Sequence, residues 1–147
     1  VKKSIKIQKV YDFKKNSIHV KYNINNLSDE ILDLNFASEI NLSLNMDATS
    51  LSIKMDKEEN QIDLNRKFLE IDNIQELSVH EVKKKVKISI SATDNFSLWE
   101  LPVERMTKNS DKIESTYQSS CFLLKWPIRI TPTKEWSTSV TIKLEKR

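Results

Sequence analysis

Apolar and polar residues alternate with a period of two along most of this chain. Ile5 and Ile7 alternate with Ser4, Lys6 and Gln8, and Ile18, Val20, Tyr22 and Ile24 alternate with His19, Lys21 and Asn23. Leu34, Phe36, Ile40, Leu42 and Leu44 share one parity, with Ser38 the only polar member, while Asn35, Ala37, Glu39, Asn41 and Ser43 share the other. The habit returns in Leu51, Ile53 and Met55, in Val86, Ile88, Ile90 and Ala92, and in Trp136, Val140, Ile142 and Leu144. Successive side chains of a strand point to opposite faces, so each run predicts an antiparallel strand with one face in a core and one in water. Residues 68–71 and 77–82 predict shorter strands. Helical spacing is weak. Residues 28–34 could form one turn capped by Ser28, although a loop feeding the next strand is the simpler reading. The polar residues 56–65 predict a mobile loop. Short strands separated by about 8–12 residues fold into two stacked layers rather than one open sheet. The expectation is all-β: a single antiparallel two-sheet β-sandwich over residues 1–147.

Composition sharpens this in two places. Glycine is absent, against about 7% in an average protein. That removes every Gly-rich phosphate loop, because those need backbone approach without a Cβ. Turns must use Asn and Asp, which tolerate positive φ best among the remaining residues. Asn25, Asn26, Asp56, Asn60, Asn73, Asp94, Asn95 and Asn109 punctuate the apolar runs accordingly. The second constraint is charge. The net formal charge is only +3, and the basic run Lys83, Lys84, Lys85 and Lys87 has no aromatic residues among its charges. Nucleic-acid binding would call for stacking rings there, so lysines guarding an edge strand are the better account and no nucleic-acid partner is expected. No stretch of about 18 apolar residues exists to form a membrane helix, and no membrane partner is expected. Cys121 is the sole cysteine, compatible with a cytoplasmic location. The chain opens on Val1 without an apolar leader, which suggests a piece excised from something longer.

The heavy aromatic material is concentrated in residues 96–144, which hold Trp99, Trp126 and Trp136 and all three prolines. Two segments carry a family likeness. The first is Tyr22-Asn23-Ile24-Asn25-Asn26, followed by Phe36-Ala37-Ser38-Glu39-Ile40-Asn41-Leu42-Ser43-Leu44. The second is Leu98-Trp99-Glu100-Leu101-Pro102-Val103, then Tyr117-Gln118, Lys125-Trp126-Pro127-Ile128 and Trp136. In order and spacing these resemble the C-terminal β-sandwich domain of family 57 glycoside hydrolases, the α-amylase and 4-α-glucanotransferase group. The resemblance implies a galactose-mutarotase-like supersandwich. It also implies that the catalytic carboxylates lie on a separate (β/α) barrel of the parent chain, which acts on α-1,4-glucans by a retaining mechanism. The partners it implies are that catalytic barrel and, secondarily, α-1,4-glucan. No cofactor is implied. The chain departs from the family at Lys112, where relatives carry glycine, so the loop 107–114 must turn by other means, for instance through Asn109.

Candidate site residues follow from both readings. Glu39 and Asn41 lie on the non-core parity of a long strand, inside the familiar motif. They could hydrogen-bond sugar hydroxyls or meet the barrel, or be a solvated strand face. Trp99 and Trp126 could stack on glucose rings or face the barrel, or pack in the core, which is the simpler reading for Trp126; Trp136 is in phase with Val140, Ile142 and Leu144 and reads as core. Pro127 suggests that Trp126 sits at a strand edge or end. Tyr117 could donate to a ligand or span a core edge with its hydroxyl satisfied locally. His19 and His80 lack zinc-ligand spacing, and no metal site is expected. A mutarotase-like enzyme would need a histidine and a carboxylate such as Glu39 within hydrogen-bond reach of a sugar. Adjacent acids at Asp29-Glu30 and Glu58-Glu59 read as solvated loops rather than glycosidase pairs. Three functions are therefore in play: a non-catalytic accessory domain, an autonomous carbohydrate-binding module and a small sugar epimerase.

Overall fold

The computed structural model describes residues 3–45, 49–56, 58–109 and 112–146. Every regular element among them is a strand: β1 (Ile5–Phe13), β2 (Ser17–Asn26), β3 (Leu32–Leu42), β4 (Thr49–Met55), β5 (Glu58–Ile62), β6 (Leu69–Glu81), β7 (Val86–Asn109), β8 (Lys112–Ile130) and β9 (Glu135–Lys146). All pairings among the described residues are antiparallel. One continuous path runs β1-β2-β9-β7-β6-β4-β5, and a branch leaves β7 through β8 to β3.

The branch point makes the sandwich. Residues 86–92 of β7 pair with β9, and residues 97–109 pair with β8. Opposite this change the β6 register jumps, from Ile71↔Leu98 to Ile74↔Phe96 to Glu76↔Ser91. Strands that switch layers do so through bulges of this kind. Asn73 adopts φ 59° at the bend, and its Oδ1 accepts a 2.7 Å hydrogen bond from Asn95 Nδ2 across the corner. With no glycine, left-handed positions fall to Asp56, Arg66, Asn73, Lys85 and Thr133. Asp56 matches the turn residues expected, Asn73 sits at a bulge inside β6, and Asn25, Asn26, Asn60, Asp94 and Asn95 lie inside strands. Of the loop expected at 107–114, residues 107–109 and 112–114 are paired strand, and residues 110 and 111 lie outside the described residues.

Side chains of one parity from both layers fill the space between. Phe36 of β3 meets Trp136 of β9 edge-on at 5.6 Å, and Trp126 of β8 meets Trp136 at 6.0 Å. Ser38, the polar exception on its strand face, is buried and sits 2.7 Å from the Tyr22 hydroxyl. Asn26 is fully buried and fully satisfied. Its Nδ2 donates to Glu30 O and Ile130 O at 2.7 and 2.9 Å, and its Oδ1 accepts from Ser28 N and Ser28 Oγ at 2.9 and 2.7 Å. An amide has two protons and two lone-pair sites to offer, and all four are used. Ser28 thus closes a turn on Asn26 and caps no helix.

Three expectations need correction. Residues 58–62 form the edge strand β5 on β4, not a mobile loop. The two short strands at 68–71 and 77–82 are one strand, β6, interrupted by the bulge. Pro127 does not end its strand: β8 runs on to Ile130, with Pro127 opposite Asn35. The last β7 partner of β8 on that side is Lys125, so Pro127 sits where a ladder hydrogen bond is not called for.

Candidate functional site

Four places on this scaffold could carry function. The first is the outer face of the layer β3-β8-β7-β6. Register sets Glu39, Leu123, Trp99 and Glu70 in one row across the four strands, with Asn41, Cys121 and Leu101 in the next row. This register places Glu39, Asn41 and Trp99 on one surface. Asn41 Nδ2 donates to Glu39 Oε1 at 2.6 Å. Trp99 Nε1 donates to Glu70 Oε1 at 2.5 Å, Phe68 packs edge-on against the indole at 5.6 Å, and Lys125 Nζ sits 3.3 Å from the ring centroid. The ammonium covers an indole face that a sugar would need. Burial, with the Glu39 carboxylate beside it, pushes the Cys121 thiol up, away from reactivity.

Trp126 is not on that surface. It is 4% exposed, packed among Phe36, Phe96 and Trp136, so it faces neither a ligand nor another domain. Its parity-mates Phe122, Leu124, Ile128 and Ile130 are all buried too. Tyr117 also lies apart from the Glu39 row, half-buried with its hydroxyl 2.9 Å from Ser120 Oγ.

That Ser120 contact leads to the second place, which the sequence reading missed. Glu100 is 2% exposed and its side chain is hydrogen-bonded by Ser120. Glu100 Oε1 has no partner. Burial pushes its carboxyl above the ordinary value, the Ser120 hydrogen bond opposing in part. It lines a cavity of about 330 Å³ together with Ile62, Asp63, Leu64, Asn65, Lys67, Phe68 and Leu69. Its signal was in plain view: Glu100 shares parity with the core residues Phe96 and Leu98.

The third place is the outer face of the other layer, at β4-β5-β6. Ser52 Oγ donates to Glu59 Oε1 at 2.7 Å and lies 3.3 Å from His80 Nε2. These residues line an open cavity of about 540 Å³ with Ser50, Gln61 and Val82. His19 is elsewhere, held between Ser17 Oγ at 3.2 Å and Thr141 Oγ1 at 2.9 Å. Glu39 belongs to the opposite layer, so the grouping of His19, His80 and Glu39 does not form.

The fourth place is apolar. Pairing sets Ile5, Ile7, Lys9, Tyr11 and Phe13 of β1 opposite the core-facing Asn26, Ile24, Tyr22, Val20 and Ile18 of β2. Alternation across a sheet therefore gives both sets one face. Yet all of β1 is exposed, because the opposing layer ends at β3. Lys9 spreads its ammonium over the Tyr11 and Tyr22 rings at 5.4 and 5.2 Å.

Comparison with known proteins agrees with this architecture. An aldose 1-epimerase candidate from Escherichia coli K12 superposes with a TM-score of 0.74 at 10% identity, over 99% of this chain and 62% of that one. A galactose mutarotase related enzyme from Lactobacillus acidophilus gives 0.67 at 12% identity, over 97% and 62%. The 4-alpha-glucanotransferase of Thermococcus litoralis gives 0.67 at 15% identity, over 95% of this chain and 18% of that one. At such identities the likeness establishes the fold, a galactose-mutarotase-like β-sandwich, and this chain spans less than two thirds of each of these structures. No curated protein sequence matches it. The sequence pattern of the C-terminal domain of alpha-amylase/4-alpha-glucanotransferase matches residues 1–140. This chain therefore belongs to the alpha-amylase/4-alpha-glucanotransferase C-terminal domain family.

Proposed function

We propose that this domain is the non-catalytic accessory domain of an α-glucan-processing enzyme of the family 57 type, seated against the catalytic barrel of its parent chain. The observation that carries the reading is the uncovered core face of β1, where Ile5, Ile7, Tyr11 and Phe13 are 42, 53, 51 and 69% exposed. An apolar row that continues a core, interrupted here only by Lys9, marks a surface made for contact. The occupant is taken to be the barrel because the matching fold in the Thermococcus litoralis enzyme is a minor part of a longer chain. In the parent chain, replacing Tyr11 and Phe13 together by aspartate should loosen this domain and expose it to limited proteolysis. The 147-residue chain alone should release no reducing ends from starch. An unchanged cleavage pattern in the first test, or turnover in the second, would contradict the reading.

The His80, Ser52 and Glu59 cavity supports a second reading, a mutarotase-like epimerase. Its test is polarimetry on freshly dissolved glucose or galactose, where acceleration lost in His80→Ala would favour it. A carbohydrate-binding module built on free indole faces has less support, since Trp126 and Trp136 lie in the aromatic core and Lys125 covers Trp99.

A further inference from the structure

The uncovered face of β1 is the floor of a ledge, and β3 is its wall. β3 lies over β2, with the Phe36 ring 5.0 Å from that of Tyr22 and Ser38 Oγ 2.7 Å from the Tyr22 hydroxyl. β8 lies over β9, where Trp126 meets Trp136 at 6.0 Å. The next place in that layer therefore lies over β1, and no strand among the described residues takes it. Strands of one layer lie about 4.8 Å apart, and β1 alone extends beyond β2, so the ledge is one strand wide.

The wall is ready to pair. Opposite residues of an antiparallel pair exchange two hydrogen bonds or none. Pro127, opposite Asn35, has no N–H. Asn35 therefore turns its N–H and C=O away from β8, and Asp33, Ala37, Glu39 and Asn41, of the same parity in an unbroken register, do likewise. Edge strands are usually blunted by lysine, proline or a bulge. β1 carries Lys6 and Lys9, whereas β3 has none of the three.

A second copy of this chain does not fit the ledge. Paired β3 to β3 about a two-fold normal to the layer, its β2 would fall where β1 already lies. About a two-fold along the strands, it would lay Asn35, Glu39 and Asn41 on the apolar row. The floor calls for one strand of mixed character. Ile7 and Tyr11 flank Lys9, whose ammonium rests on the Tyr11 and Tyr22 rings at 5.4 and 5.2 Å. Covering that ammonium without an acceptor is unfavourable.

We propose that one extended segment from the barrel-bearing part of the parent chain adds to β3 as a further strand, setting apolar side chains over Ile7 and Tyr11 and a carboxylate between them against Lys9. This rests on the docking reading above and specifies that the contact is made by backbone pairing.

The test is residue-resolved hydrogen exchange on the parent protein, with oxidative footprinting of Tyr11 and Phe13 alongside. Expected are comparably slow amides at Asn35, Ala37 and Glu39 and at Phe36, Ser38 and Ile40, whose N–H groups serve β8, with both rings protected. An open edge gives alternation instead, the first set exchanging at least about 100-fold faster. Alternation with both rings protected would sink strand addition and leave the docking reading standing. Alternation with both rings labelled would end both. Edge protection that fades on dilution would give the ledge to a second copy and overturn the proposal. Lys9→Glu should raise Tyr11 labelling several-fold and Lys9→Arg should not; equal labelling in the two variants would remove the carboxylate from the account.

Discussion

β1 and β2 are hydrogen-bonded neighbours with the same alternating pattern and opposite fates. On β2 the core-facing Val20, Tyr22 and Ile24 are almost wholly buried, while their β1 partners Tyr11 and Ile7, on the same face of the sheet, are about half exposed. Lys9, the partner of Tyr22, is exposed with the rest of its strand. The side chains differ little in hydrophobicity. What differs is the layer above: β3 and β8 cover β2 and β9 through Phe36, Ser38 and Trp126, and nothing among the described residues covers β1. Alternation decides which way a side chain points, and the second layer decides whether pointing that way removes it from water.

The contrast can be broken by mutation. The largest effect should come from the covered side. Phe122→Ala, in the closed part of the core, should lower unfolding free energy by about 3–5 kcal/mol, read from urea melts. Phe13→Ala in the same isolated chain should stay within about 0.5 kcal/mol, since its ring is already in water. Equal losses would mean that β1 is part of the core after all.

Next in size is Asn26, which sits opposite Ile5 at the end of β2. Asn26→Ala leaves the carbonyls of Glu30 and Ile130 without their side-chain donor and should cost about 1–3 kcal/mol. Asn26→Asp should also destabilise, because a carboxylate cannot donate to those two carbonyls.

Glu100 gives a pH signature. Its folded-state pKa is raised by burial, so between the ordinary carboxyl value of 4.5 and the higher folded value the native state holds more protons than the unfolded one. Stability from this group is full below the ordinary value and is lost as pH rises through the folded one. Glu100→Gln should flatten that decline in melts taken from acid toward neutral pH. The smallest effect belongs to the outer face. Lys125→Met should cost about 0.5–1 kcal/mol through the lost ammonium–indole contact, and should redden and quench Trp99 emission as its covered face opens.

Much of the fold was written in the period-two pattern, because alternation is a local property and most strands here have one wet face. β5 escaped that reading because Glu58, Glu59, Asn60 and Gln61 carry no apolar signal, and the strand exists only through pairing with β4. The unity of β6 escaped because Asp72 and Asn73 look like a turn when they are a bulge on a strand changing layers. At the candidate site, parity puts Glu39 and Asn41 on the non-core face but leaves both faces open to Trp99, and only the register of β3, β8 and β7 sets Trp99 in the Glu39 row. Trp126 takes the core place that the alternation of Phe122, Leu124 and Ile128 gives it, and Pro127 beside it does not turn it outward. Glu100 is overshadowed in the pattern by its tryptophan neighbour, although a charge on a core parity is the rarer event. Which residues would face a cavity depends on how the 63–68 segment folds over β7, and no local pattern encodes that.

The most direct measurement is oxidative footprinting of Tyr11 and Phe13 in the parent protein and in the isolated 147-residue chain, with buried Tyr22 as internal control. The account predicts strong labelling of both rings in the isolated chain and protection of both in the parent, with Tyr22 protected throughout. Equal labelling in the two proteins would show that the face of β1 stays open to water, and would contradict the claim that it is a docking surface.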